Sequence, residues 1–304
     1  MQLKELTTES RNRATENLDL MTSIELVTAM NREDAVVPRA IHRVLPDIAK
    51  AVDVIAHCLS KGGRLIYVGS GTSGRIGALD ASECPPTFRT PPGMVVGLIA
   101  GGSVALTRAV EGAEDNPQQG ADDISSLEVQ ATDLVVGIAT SGRTPYVLGA
   151  VREARRRRAR TIGLTCNRPS LLGSEVDLEI APLVGPEIIA GSTRLKAGTA
   201  TKMILNMIST GAMVQIGKTL GNRMVDLMPS NEKLRIRSRR MLRELAGVDD
   251  TVAAQILARC DGHLKRALVV ALTGVEPDMA QTLLDTQGGQ VRSAVKAGGG
   301  REPQ

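Results

Sequence analysis

Two rhythms of apolar and polar residues divide the chain. Residues 1–53 read as helical, polar at first and then amphipathic. Pro38 stands where a proline starts a helix, and from 41 to 59 apolar residues recur at three- and four-residue spacing until Gly62-Gly63 ends the pattern. The period then shortens. Brief β-branched runs at 64–68, 94–100, 133–139, 161–165 and 178–184 alternate with helical stretches. That alternation predicts an α/β fold, a three-layer αβα sandwich with a five-stranded parallel sheet. Runs such as MVVGLIA and DLVVGIA are apolar throughout, as strands covered on both faces must be.

From Ser192 the pattern turns helical again. One long helix is expected over 192–220, opened by a Ser192-Thr193 cap, and short helical stretches follow Pro229 up to about Lys296. Glycines 247, 262, 274 and 288–289 break them, and the tail GGGREPQ reads as disordered. Three segments result: an N-terminal helical arm (1–53), an αβα domain (54–221) and a small all-helical C-terminal subdomain with a disordered tail (222–304).

The 304 residues are 42% hydrophobic, enough to bury a sizeable core, and 37 basic against 33 acidic residues leave a net charge of +4. So mild an excess suits a small anion better than a nucleic acid. Tyr67, Phe88 and Tyr146 are the only aromatics, too few for a stacking platform. The basic run 155–158 reads as a solvated helix end favoured by the macrodipole. Cys58, Cys84, Cys166 and Cys260 are far apart with no CxxC pair, which argues against a zinc ribbon or a disulfide framework. His57 and Cys58 are adjacent and would point to different faces of a helix, so no metal site is expected. The N-terminus lacks a signal-peptide apolar core, and runs such as 203–217 are too short to span a bilayer. The expectation is a soluble cytoplasmic protein, without membrane or nucleic-acid partners.

The chemistry concentrates in a short repeat. Thr72-Ser73-Gly74-Arg75 follows the first strand run and Thr140-Ser141-Gly142-Arg143 the third. Both stand where a strand hands over to a helix, the place where open α/β sheets bind ligands. Glycines admit a ligand close to the backbone, and helix-start N–H groups favour an anion. The hydroxyls of Ser70, Thr72, Ser73, Ser141 and Thr144 add donors for phosphate oxygens. Gly69-x-Gly71-x-x-Gly74 also matches a dinucleotide fingerprint, but the second strand ends Ala100-Gly101-Gly102-Ser103 without the acid a ribose needs. A phosphate monoester held by hydroxyls is the better match.

Two acids stand near these loops. Glu83 falls at the end of the helix opened by the first loop, just before Cys84-Pro85-Pro86. There the negative end of the helix dipole would favour its protonated form. Glu114 is expected on the helix after the second strand, with Glu111 one turn earlier. Taken singly, neither rises above a solvated surface residue.

The motifs YVGSGTSGRIGALDASECPPTF, AVEGAEDN, IATSGRTPYVLGA, GPEIIAGSTRLKAGTATKMILNM and GNRMVDLMPSNEKL, in this order, resemble the N-acetylmuramic acid 6-phosphate etherase family. The opening LTTESRNRAT is similar as well, so the resemblance runs from about residue 6 to 245. The core at 54–221 resembles the sugar isomerase (SIS) domain. The resemblance implies a lyase that cleaves the D-lactyl ether of N-acetylmuramic acid 6-phosphate to N-acetylglucosamine 6-phosphate and D-lactate in peptidoglycan recycling. It implies a homodimer, no metal and no organic cofactor. It maps the acid that protonates the departing lactate onto Glu83 and the second catalytic acid onto Glu114. GSTRLKAG is a candidate for closing a neighbouring subunit's site, through Ser192 and Lys196. MVDLMPSNEKL departs slightly from the family's usual form, which touches packing or closure rather than chemistry.

These residues suit an elimination. Ring opening exposes an aldehyde that acidifies the C2 proton; a base removes it, an acid protonates the ether oxygen as the C3–O bond breaks, and water adds back. An alternative of another class is a non-catalytic sugar-phosphate sensor of the glucokinase regulatory protein type. The single core and both retained acids weigh towards the enzyme, and a nicotinamide-dependent sugar oxidoreductase is a more distant third.

Overall fold

A computed structural model describes residues 7–226 and 232–303. Much of the departure in GNRMVDLMPSNEKL lies outside them. The chain divides into two compact units, one of Met1–Ser82 and Gly93–Ser209, the other of Glu83–Pro92 and Thr210–Gln304. This differs from the three segments read off the sequence, because the N-terminal arm belongs with the sheet and the C-terminal unit takes in 83–92.

The first unit opens with single 3-10 turns and helices α1 (Ser23–Asp34), α2 (Val37–His42) and α3 (Leu45–Ser60). Thr22 caps α1 through a capping box with Glu25. Five strands follow: β1 (Leu65–Gly69), β2 (Val95–Ile99), β3 (Leu134–Ile138), β4 (Arg160–Leu164) and β5 (Leu178–Ile180). They pair in the order β2-β1-β3-β4-β5, all parallel, as expected. The connections carry α4 (Gly71–Phe88), α5 (Pro117–Ser126), α6 (Pro145–Arg156) and the single turn α7 (Leu171–Ser174), and α8 (Lys196–Gln215) follows the sheet. Every residue of β1 and β3 is buried, which is why these strands read as continuous apolar runs.

Chain order reverses between β1 and β3, since β2 lies on one side of β1 and β3 on the other. Gly69 pairs with Ile138, so the loops leaving these strands start side by side. A buried network holds the first loop's helix under the sheet. Asp80 of α4 accepts from the Tyr67 hydroxyl of β1 (2.9 Å) and from Asn206 (2.6 Å) and Ser209 (3.2 Å) of α8.

Three local readings change. Helix α4 does not stop at Glu83; it runs to Phe88 with Pro85 and Pro86 inside it. Lacking N–H groups, these prolines leave the Ala81 and Ser82 carbonyls without their i+4 donors near the helix's C-terminal end. No helix carries Glu114, which sits in the single 3-10 turn Ala113–Asp115, because Asn116 caps α5 and Pro117 opens it beyond that point. Helix α8 starts at Lys196 rather than near Ser192. Its cap is the fully buried Glu187 carboxylate, which accepts the N–H groups of Lys196 and Ala197 at 2.9 Å each.

The second unit continues through the short hairpin β6 (Thr219–Leu220) and β7 (Arg223–Met224), which the sequence reading missed. Helices α9 (Glu232–Ala246), α10 (Asp250–Arg259), α11 (Leu264–Thr273), α12 (Pro277–Thr286) and α13 (Val291–Ala297) follow. They close around Leu242, Leu245, Leu268, Val269, Leu284 and Val291. The tail expected to be disordered is tied down instead. Gly300 N–H donates to Val295, Arg301 N–H to Leu272, and the Arg301 guanidinium to the Ala246 carbonyl. No helix among the described residues is long and apolar enough to cross a membrane.

Candidate active site

A cavity of about 540 Å³ opens where the chain order reverses. Ser70, Thr72 and Ser73 from the loop after β1, and Ser141 and Thr144 from the loop after β3, all line it, and Glu114 and Asp115 stand beside them. Every proposed phosphate-binding hydroxyl and one of the two proposed catalytic acids therefore share a single cavity. Local geometry explains the second loop's glycine. Gly142 has φ +69°, and a Cβ there would come within 2.4 Å of the Ser170 side chain.

The hydroxyls are not equivalent. Ser70 Oγ donates to Glu114 Oε2 at 2.9 Å, so its proton serves the carboxylate. Ser141 Oγ accepts the Arg143 N–H at 3.3 Å and keeps its own proton for a ligand. That leaves Thr72, Ser73, Ser141 and Thr144 as the donors for an anion.

The two arginines of the repeat part company, which the sequence could not show. Arg75 is spent on backbone, donating to the carbonyls of Leu106 and Arg108 at 3.2 Å each. Arg143 lines the cavity, and its Nη1 is buried without a hydrogen-bond partner among the described residues. A buried guanidinium nitrogen left unpaired beside a ring of hydroxyls suits an anionic ligand. The repeat itself was the available signal, and only tertiary contacts tell its two copies apart.

Glu83 is not among the residues that line this cavity. It is exposed on α4, about 18 Å along the helix from Gly71 at 1.5 Å per residue. Ser192 does not line the cavity either, although its neighbours Gly191 and Thr193 do. Lys196 is 3% exposed and its Nζ pairs with Glu33 of α1 at 2.5 Å, which makes it a tie between elements rather than a ligand. The cysteines offer no nucleophile here. Burial pushes the Cys58 thiol up to about 11 and Cys166 up to about 12, so both stay protonated near neutral pH. Tyr67 and Tyr146 are fully buried and Phe88 nearly so, leaving no ring for base stacking.

Hydroxyl loops around a cavity at the reversal point of a five-stranded parallel sheet define an SIS-type fold. Residues 117–210 match the SIS domain, and residues 47–155 match the glucokinase regulatory protein N-terminal SIS domain. The solved structure of a phosphosugar isomerase from Bacteroides fragilis superposes with a TM-score of 0.50 at 22% identity, covering 64% of this chain and 91% of that one. Curated relatives narrow the class. N-acetylmuramic acid 6-phosphate etherases are 55% identical in Rhodopirellula baltica (94% of this chain, 95% of the relative) and 50% in Mycolicibacterium smegmatis (98% and 100%). That of Escherichia coli O1:K1 is 48% identical (97% and 99%). The chain belongs to the N-acetylmuramic acid 6-phosphate etherase family.

Proposed function

We propose that this protein is a carbon–oxygen lyase that converts N-acetylmuramic acid 6-phosphate to N-acetylglucosamine 6-phosphate and D-lactate, as a cytoplasmic homodimer in cell-wall amino-sugar recycling. The convergence of both hydroxyl loops and Glu114 on one cavity carries the reading, together with etherase relatives matched over nearly their whole length. The sensing alternative is not favoured, because those relatives are named as etherases.

In this reading the phosphate lies against Thr72, Ser73, Ser141, Thr144 and the Arg143 guanidinium. Glu114, oriented by Ser70, takes the C2 proton of the ring-opened aldehyde. The C3–O bond breaks as Glu83 protonates the departing ether oxygen, which leaves with lactate. Water adds to C3 of the unsaturated aldehyde and C2 regains a proton. Glu83 is supplied by the second copy. Leu79 lies one turn before it on the same face of α4 and is 53% exposed, and Val104 is 58% exposed. Such apolar side chains suit burial in a dimer.

Purified protein incubated with N-acetylmuramic acid 6-phosphate should release D-lactate. In heavy-oxygen water the label should enter C3 of the sugar and leave the lactate hydroxyl unlabelled. Absence of lactate would overturn the assignment, and labelled lactate would replace elimination with attack on the lactyl carbon.

Arg143→Ala should weaken inorganic phosphate and sugar phosphate alike. A hydrogen bond to a charged group is worth about 1.5–3 kcal/mol, roughly 10- to 150-fold in affinity. Calorimetric titration of both ligands checks it, and unchanged affinities would remove Arg143 from the phosphate site.

A further inference from the structure

The cavity has a third wall that neither hydroxyl loop supplies. Glu9 lines it, from the 3-10 turn Thr7–Glu9 at the beginning of the described chain. The turn is latched to the site from several directions. Asn167 stands after β4 and is 1% exposed; its Oδ1 accepts the Thr7 N–H and hydroxyl at 2.9 Å each. Its Nδ2 donates to Thr8 Oγ1 at 3.0 Å and to the Thr140 carbonyl of the second hydroxyl loop at 2.9 Å. Thr8 is fully buried, and its carbonyl accepts the Gly191 N–H at 3.2 Å. Further along, the Thr15 hydroxyl donates to the Ile188 carbonyl at 2.9 Å.

This is more fixation than an exposed turn needs for its own sake, and it holds one acid at the cavity. Glu9 is exposed, and its carboxylate has no hydrogen-bond or ion-pair partner among the described residues. Its Oε2 lies 3.1 Å from where a Cβ of Gly191 would stand, and Gly191, at φ +76°, lines the same cavity. A glycine there leaves the carboxylate room against the backbone.

We propose that Glu9 is a substrate-contact residue that accepts hydrogen bonds from the hydroxyl or amide N–H donors of the sugar, away from its phosphate. The proposal deepens the etherase reading and rests on it for the identity of the sugar. Charge decides the orientation. A carboxylate repels a phosphate dianion and accepts from neutral donors, so the phosphate belongs with Arg143 and the free hydroxyls and the polyol with Glu9. Glu9 thus reads the sugar portion, which inorganic phosphate lacks.

Titrations of N-acetylglucosamine 6-phosphate and of inorganic phosphate into the full-length wild type, Glu9→Gln and Glu9→Ala test this. Glu9→Ala should weaken the sugar phosphate by on the order of tenfold, while inorganic phosphate binds unchanged or more tightly. Glu9→Gln, which keeps an acceptor of the same shape, should recover part of the loss. With N-acetylmuramic acid 6-phosphate the loss should fall mainly on KM. Equal weakening of both ligands would make Glu9 a structural prop, and unchanged sugar-phosphate affinity would remove it from the site. Failure of the etherase reading shows separately, as wild type that binds the sugar phosphate and releases no lactate.

Discussion

Glu114→Gln should lose lactate release and, in deuterated water, the exchange of the substrate's C2 proton. The amide keeps the shape of the side chain and can still accept from Ser70, whose Oγ stands 2.9 Å from Glu114 Oε2. It cannot take a proton. General-base assistance is worth about 10²- to 10⁴-fold, and kcat should fall by that much. KM should change less, because the phosphate contacts come from other residues. C2 exchange followed by NMR under single-turnover conditions checks it. A variant that exchanges C2 at the wild-type rate would strip Glu114 of the base role while leaving the cavity assignment intact. Ser70→Ala is the milder companion, losing the group that orients the base and not the base itself.

What the sequence made legible follows from period and repetition. Strands buried on both faces leave unbroken apolar runs, and parallel order followed from their alternation with helices. The first four were found with ends within a residue of those observed, whereas the fifth, expected over 178–184, spans only Leu178–Ile180. The two hydroxyl loops were legible because the same four residues recur at two strand ends, and both loops line one cavity. Whatever depends on a distant partner was hidden. Arg75 and Arg143 have the same preceding residues, yet one is consumed by carbonyls 31 and 33 residues on and the other is left facing the cavity. Ser70 reads as one more phosphate hydroxyl until Glu114, 44 residues later, takes its proton. Glu9 enters the site through Asn167, about 160 residues away in sequence, and no local pattern announces that. The Pro85-Pro86 pair misled for the opposite reason. It reads as the end of a helix at Glu83, yet α4 runs on through both prolines to Phe88 despite the two donors they lack.

Glu83 gives the other large effect, and its position makes the experiment decisive. Glu83→Gln should suppress lactate departure by about 10²- to 10⁴-fold, because an amide cannot donate the proton the ether oxygen needs. C2 exchange should survive, since Glu114 is untouched. The variants should then rescue each other. If Glu83 acts on the partner's cavity, a mixed dimer of Glu83→Gln and Glu114→Gln chains holds one cavity with both acids intact. Its Glu114 comes from the first chain and its Glu83 from the second. Random exchange of equal amounts makes about half the dimers mixed, each with one working site in two, so roughly a quarter of wild-type activity should return. Two inactive variants that stay inactive after subunit exchange, verified by mass spectrometry of the intact dimers, would mean that Glu83 does not work in trans. Recovery near a quarter would assign the acid to the second copy.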